Sequence, residues 1–225
     1  MANNSTQRYL DIEKSNSFIM SKFLYLLKRL NFIITKERYF VKFKYNWSAL
    51  PQRFQIINKI ILKKNYQNYL EVGCFKNENF DQINITNKIG VDPVSGGTLR
   101  MSSDEFFLKN KDQFDIIFID GLHVYEQVKR DIENSLIVLN EDGIILIHDC
   151  LPRKIWYQTD TRMSDTWNGD VWKAIVECRT KSEIDTYTCF ADEGIGIIKK
   201  NKNKNPLNIK ISNFKNLKYK DYCIN

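Results

Sequence analysis

Four short apolar runs in the middle of the sequence end in acids, and the only two histidines of the chain stand on the same ends. In order, these ends read Glu71-Val-Gly73, Asp92-Pro93, Asp120-Gly-Leu-His123 and His148-Asp149. An acid inside or just after a buried strand is costly unless it is paired or binds something. Helix capping would absorb one or two of them, since Asp is a good N-cap. It would not absorb four acids and both imidazoles. Two imidazoles on the same edge, which titrate near neutral pH, add to that pattern. Groups of this kind cluster at functional sites.

The pattern around these ends alternates strand and helix. Residues 53–64 (RFQIINKIILKK) place Phe54, Ile57 and Ile60/Ile61 on one helical face. Strands are expected at 69–73, 88–93, 114–121 and 144–149, the third a nearly continuous apolar run of the kind covered on both faces. Helices are expected at 103–110, with Ser103 and Asp104 as N-cap candidates, at 125–139 and at 169–179. Asp142-Gly143 reads as a turn, and 183–190 with 194–199 as a closing antiparallel pair. This βαβαβ order implies an α/β fold with a doubly wound, mostly parallel sheet. In such sheets ligands bind beyond the carboxyl ends of the strands, where the acids and histidines fall.

Composition narrows the classes further. A chain of 225 residues with 43% apolar and 27% charged residues buries a core and is not disordered. The net charge of +7 comes from the ends. Residues 1–50 carry nine Lys/Arg against three acids and 199–225 eight Lys against one Asp, so the middle is acidic. A nucleic-acid-binding core is thereby disfavoured. Five cysteines without CxxC spacing show no zinc site or disulfide framework, and a reducing cytoplasm is the default. The apolar stretch 18–34 is broken by Lys22, Lys28 and Arg29, so no transmembrane segment is expected. Phe23, Leu26, Leu27 and Leu30 recur at helical spacing, which predicts an amphipathic helix packed on the main domain or on a second subunit of a homo-oligomer, with a membrane-surface role as the lesser alternative. Three parts follow: a basic helical extension at 1–50 serving as lid or oligomer contact, a catalytic domain at 51–200 and a basic tail at 201–225.

Glu-x-Gly after the first strand is not the dinucleotide fingerprint, and no GxxxxGK[ST] is present. Without successive glycines a pyrophosphate cannot approach the first turn. A cofactor with a ribose and an amino-acid part but no phosphates fits better, with Asp92 accepting from the ribose and Glu71 adding negative potential. S-adenosylmethionine (SAM) has these parts. The segments YLEVGCFKNENF, IGVDPVSGG, SSDEFF, FDIIFIDGLHVYEQVKRDIENSL, GIILIHDCLP and NGDVWKAI, in this order, resemble the class I SAM-dependent methyltransferases. They are most similar to the sugar O-methyltransferases related to macrocin O-methyltransferase. The resemblance spans about 69–180. The family usually has Gly four residues after Gly73, where this chain has Asn77, a residue that tolerates the left-handed conformation.

The resemblance implies a Rossmann-like methyltransferase fold with a seven-stranded sheet, and a SAM site formed by Glu71, Gly73, Asp92, Ser103, Asp104 and Asp120. It also implies Mg²⁺ on Asp120 and Asp149, and His123 as the base that takes the acceptor's proton. His148 stands where some relatives have a second acid, and it could ligate, orient Asp149 or pack. Residues 153–168 read as a lid or acceptor-binding loop, whose Trp156, Tyr157 and Trp167 could stack on a sugar face. The expected activity is O-methylation of a sugar or glycan precursor. Two rivals stand beside it: an RNA methyltransferase using the basic ends as phosphate contacts, and a SAM-binding scaffold without catalysis.

Overall fold

The computed structural model describes residues 20, 22–34 and 46–218. Residues 22–34 form helix α1. After it come α2 (Arg53–Lys64), β1 (Asn68–Val72), β2 (Asn87–Val91), α3 (Ser103–Lys109), β3 (Phe114–Ile119), α4 (Tyr125–Val138), β4 (Leu139–Ile147), α5 (Trp172–Thr180), β5 (Asp185–Cys189) and β6 (Ile195–Lys199). One sheet runs in the order β2-β1-β3-β4-β6-β5. The first four strands are parallel, and β6 is antiparallel to both β4 and β5. The Rossmann-like α/β architecture and the closing pair are those expected; among the described residues the sheet has six strands rather than seven.

Alternation along the strands explains why helices cover both faces. Leu70, Val72, Ile117, Ile119, Ile145 and Ile147 point to one side, where Phe106 of α3, Val128 and Ile132 of α4 and Ile175 of α5 pack on them. Tyr69, Ile116, Phe118, Ile144 and Leu146 point to the other, against Ile57 and Ile61 of α2. After β1 the chain steps to one side for β2, then crosses back for β3. The crevice for a ligand therefore opens between the ends of β1 and β3.

Three local expectations change. Asp142-Gly143 is not a free turn but part of β4, where the register against β3 shifts between Phe114 and Ile116. The hydroxyl of Tyr66 holds this bulge by donating to the Asp142 carbonyl at 2.5 Å. Helix α5 starts at Trp172 rather than at 169, because Gly169 has a φ of +64° and Asp170 is engaged elsewhere. The N-cap of α3 is Ser102, whose side chain accepts from the Glu105 amide at 3.2 Å; Ser103 and Asp104 are left free of that duty. Beyond β6 the chain packs back, with Leu217 buried against Trp172 and Val176 of α5. Cys74, Cys150 and Cys178 are buried free thiols, Cys189 is a half-buried one, and Cys223 lies outside the described residues. Among the described residues no helix is long and apolar enough to cross a membrane.

Candidate active site

All the strand-ending residues open onto one cavity of about 780 Å³. Glu71, Gly73, Asp92, Ser103, Asp104, Asp120, His123, His148 and Asp149 all line it. Trp167 lines it too. Trp156 does not: its ring faces α1, edge-on to Phe32 at 6.3 Å and under the Arg29 guanidinium at 5.5 Å. Tyr157 lies outside the lining as well, with the Lys154 ammonium 5.3 Å from its ring.

One half of the cavity is built from the ends of β1 and β2. A Cβ on Gly73, whose φ is +89°, would sit 2.2 Å from the Asp120 carbonyl oxygen, so only glycine lets the two loops meet. Asp92 is fixed by amides: Oδ2 accepts from Phe75 at 2.9 Å, and Oδ1 from Val94 at 2.7 Å and Ser95 at 2.8 Å. Burial alone would raise its pKa, yet these N–H groups and Arg100 hold it below the ordinary carboxylate value. Asn77 takes the left-handed conformation, φ +63°, and its Oδ1 accepts from the Gly97 amide at 2.6 Å, a bond that glycine could not make. Glu71 is 1% exposed, and accepts from the Tyr69 hydroxyl and from Asn79 Nδ2. Burial pushes it up to about 7 against those bonds. Gln127 of α4 ties Ser103, Asp104 and Asp131 together with bonds of 3.0–3.1 Å.

The other half stands on the ends of β3 and β4. His123 Nε2 lies 3.4 Å from Asp120 Oδ1, and its Nδ1 lies 3.2 Å from Asp149 Oδ2. The same Nδ1 is 2.8 Å from the carbonyl oxygen of Trp167, whose ring lies beside the imidazole. The last residues of the 153–168 loop fit here because Gly169 has no Cβ, which would fall 1.7 Å from the His123 carbonyl oxygen. Asp170 then accepts from the Tyr125 amide at 2.6 Å, capping α4 from a distant part of the chain. Asp149 is held in a left-handed conformation, φ +63°, with Asn168 Nδ2 donating to its Oδ1 at 2.5 Å.

His148 takes a different place from His123. Its Nδ1 is 3.3 Å from Asp120 and 3.4 Å from Asp149, while its Nε2 is 3.2 Å from Arg53 and 3.5 Å from Asp192. Burial would lower both histidines, but the carboxylates prevail: His123 is pushed up to about 9, and His148 well above its usual value. Reciprocally, burial would raise Asp120, and the imidazoles of His148 and His123 hold it well below the usual range. Three acids (Asp120, Asp149, Asp192) thus face three bases (His123, His148, Arg53), a set balanced in charge.

Arg53 and Asp192 are the residues that sequence reasoning missed. Arg53 sits in the first turn of α2, where a cation opposes the helix dipole, and that was the one available signal. Asp192 lies in the β5–β6 turn, within a run of positive-φ residues from Asp192 to Gly194, and reads in the sequence as ordinary turn chemistry.

The donor set suits a divalent cation. One ligand atom each from Asp120, His123 and Asp149 lies within 4.8 Å of the others, and two carboxylates favour a hard ion. SAM fits the other half: the acids there suit hydroxyl and amine donors, and Asn79 Oδ1, on the lining, is buried without a hydrogen-bond partner.

Comparison with known proteins agrees with this geometry. Residues 61–150 match the family model described as a methyltransferase domain. No curated protein matches the sequence. Among solved structures, the SAH-bound methyltransferase PaMTH1 from Podospora anserina is similar at 12% identity and a TM-score of 0.52, over 90% of this chain and 97% of that one. A Klebsiella pneumoniae protein described as an O-methyltransferase is similar at 13% identity and a TM-score of 0.52, over 68% and 84% of the two chains. The cofactor-bound protein Rv0187 from MTB is similar at 11% identity and a TM-score of 0.52, over 69% and 85%. At these identities the likeness is one of fold, and that fold is the Rossmann-like methyltransferase fold.

Proposed function

We propose, for a chain that carries a SAM-dependent methyltransferase domain, that it methylates a hydroxyl oxygen of a sugar or glycan precursor, with His123 as the base. The observation that carries this reading is the orientation of His123. The Trp167 carbonyl and the Asp149 carboxylate both accept at Nδ1, so the proton belongs there and Nε2 is the nitrogen left to take another. Asp120, 3.4 Å from Nε2, steadies the imidazolium that results. A hydroxyl is a weak nucleophile, which is why an oxygen acceptor calls for such a base. Trp167 on the lining offers a flat apolar face of the kind a sugar ring covers.

In this reading, Asp92 Oδ2 keeps a lone pair for a ribose hydroxyl, and Glu71 and Gly73 border the amino-acid part. Ser103 and Asp104, free of capping, border the adenine with Asp120 beyond them. SAM bound there would supply the electrophilic methyl group and a positive sulfonium, whose charge would favour the neutral form of a neighbouring imidazole. Nε2 of His123 would take the proton of the acceptor oxygen as that oxygen is methylated. Asp120 and Asp149 would hold Mg²⁺, with His123 or His148 at its margin; the ion would lower the pKa of the hydroxyl. The catalytic unit is assigned to 51–200. The acid-lined cavity disfavours a polyanionic acceptor, and the free thiols favour a reducing, cytoplasmic setting.

The test is an assay of SAH release and acceptor mass with nucleotide sugars and glycan precursors, before and after EDTA. Methylated sugar that disappears with EDTA and returns with Mg²⁺ is expected. In the metal-free protein the His123 ring should titrate near 9 by NMR, and Mg²⁺ should lower that value by displacing the proton. Activity indifferent to EDTA would remove the ion and leave the base. Transfer to nitrogen acceptors alone would overturn the reading.

A further inference from the structure

Helix α1 uses two faces. On the inner one, Arg29 Nε donates to the Met163 carbonyl at 2.9 Å, and Phe32 is buried against Trp156, which seats the helix on the lid loop. On the outer one, Phe23, Leu27, Leu30 and Ile34 follow each other at steps of three and four, with Leu24 beside Phe23 and Met20 three residues before it. Their exposures run from 47% for Leu27 to 71% for Ile34. No charged residue interrupts this stripe. Rolling the helix to bury it would break the contacts with Trp156 and Met163, so its cover comes from outside this arrangement.

Charge decides between the two kinds of cover. A two-fold contact would lay stripe on stripe, and with it one basic helix on another, since α1 carries Lys22, Lys28 and Arg29 and no acid. An anionic lipid surface meets the same apolar stripe and neutralises the same charge. The described residues of α1, Met20 and 22–34, include Lys22, Lys28 and Arg29, a mixture suited to lying in the plane of a bilayer rather than to crossing it. We propose that α1 is a lipid-surface anchor, inserting its outer stripe among the headgroups of an anionic membrane. The lid, and with it the Trp167–His123 contact, is then held beside that surface.

The full chain would be sedimented with vesicles of phosphatidylcholine alone, or mixed with phosphatidylglycerol. The expected result is binding to the mixed vesicles that weakens as salt is raised. Substituting both leucines, Leu24→Gln with Leu27→Gln, should lower the bound fraction by at least about tenfold. Circular dichroism and melting temperature check that the fold is kept. If the double variant does not fold, Ile34→Gln, at the most exposed point of the stripe, takes its place with a smaller loss in the same direction. Absence of binding to the mixed vesicles, or equal binding by the variants, would overturn the proposal. So would a dimer in vesicle-free solution that the same substitutions dissolve, since the stripe would then belong to a second copy.

Discussion

The two halves of the cavity treat their carboxylates in opposite ways. At the ends of β1 and β2, Asp92 is satisfied by three backbone amides and Glu71 by a phenol and a carboxamide. None of those partners changes charge near neutral pH. At the ends of β3 and β4, Asp120 and Asp149 are satisfied by two imidazoles, which carry a charge of their own when protonated. The first half holds its acids with neutral partners, while the second sets acids against bases between which a proton can pass. A parallel sheet allows both at once, because each strand end brings its own loop and its own partners.

The contrast can be broken most sharply at His123. His123→Ala should lower turnover by about 10²–10⁴-fold while SAM affinity measured by calorimetry barely changes, since the imidazole belongs to the proton-handling half alone. A parallel loss of SAM affinity would merge the two halves.

Glu71 gives the next largest effect, on stability. Its folded pKa of about 7 exceeds the ordinary value of 4.5, so ionisation opposes folding. Stability is full below the unfolded pKa and is lost as pH rises through about 7. Glu71→Gln keeps an oxygen for Tyr69 and Asn79 without the charge. It should stabilise the ligand-free chain by roughly 3 kcal/mol at pH 8 and by little at pH 4, as read from denaturant melts.

Asp92→Ala comes third. Removing the amide-held carboxylate should weaken SAM binding by about 10-fold to 100-fold and reduce the thermal shift given by SAH. The pH dependence of turnover should stay where it was. The smallest effect is expected at Asn77. Asn77→Gly restores the backbone freedom of the family pattern but deletes the bond to the Gly97 amide, and should cost about 1 kcal/mol with SAM binding retained.

The difference between the halves was only partly legible in the sequence. Apolar runs and their terminal acids marked β1 to β4 within a few residues, because a buried parallel strand needs a continuous apolar stretch. The positions of the two histidines on that edge followed directly. What completes the second half was hidden by distance along the chain. Arg53 meets His148 across 95 positions, and its amide meets Asp192 across 139, because β6 returns beside β4. No spacing rule spans such gaps. Trp156 shows the same limit in reverse: in the sequence it resembles Trp167, and only the docking of α1 separates a packing ring from a cavity ring.

The loop over residues 153–168 is pinned firmly at its two ends. At its start, the Cys150 and Leu151 amides donate to the carbonyls of Gly194 and Glu193, at 3.0 and 2.8 Å. At its finish, Asn168 grips Asp149 and Asp170 caps α4. Between these anchors its bonds run largely within the loop, as from Thr159 to Thr161 and from Ser164 to Thr166. A chimera that swaps only 153–166 keeps both anchors and changes what faces the cavity and α1 between them, through Arg162 and Asp165 on one side and Trp156 and Met163 on the other.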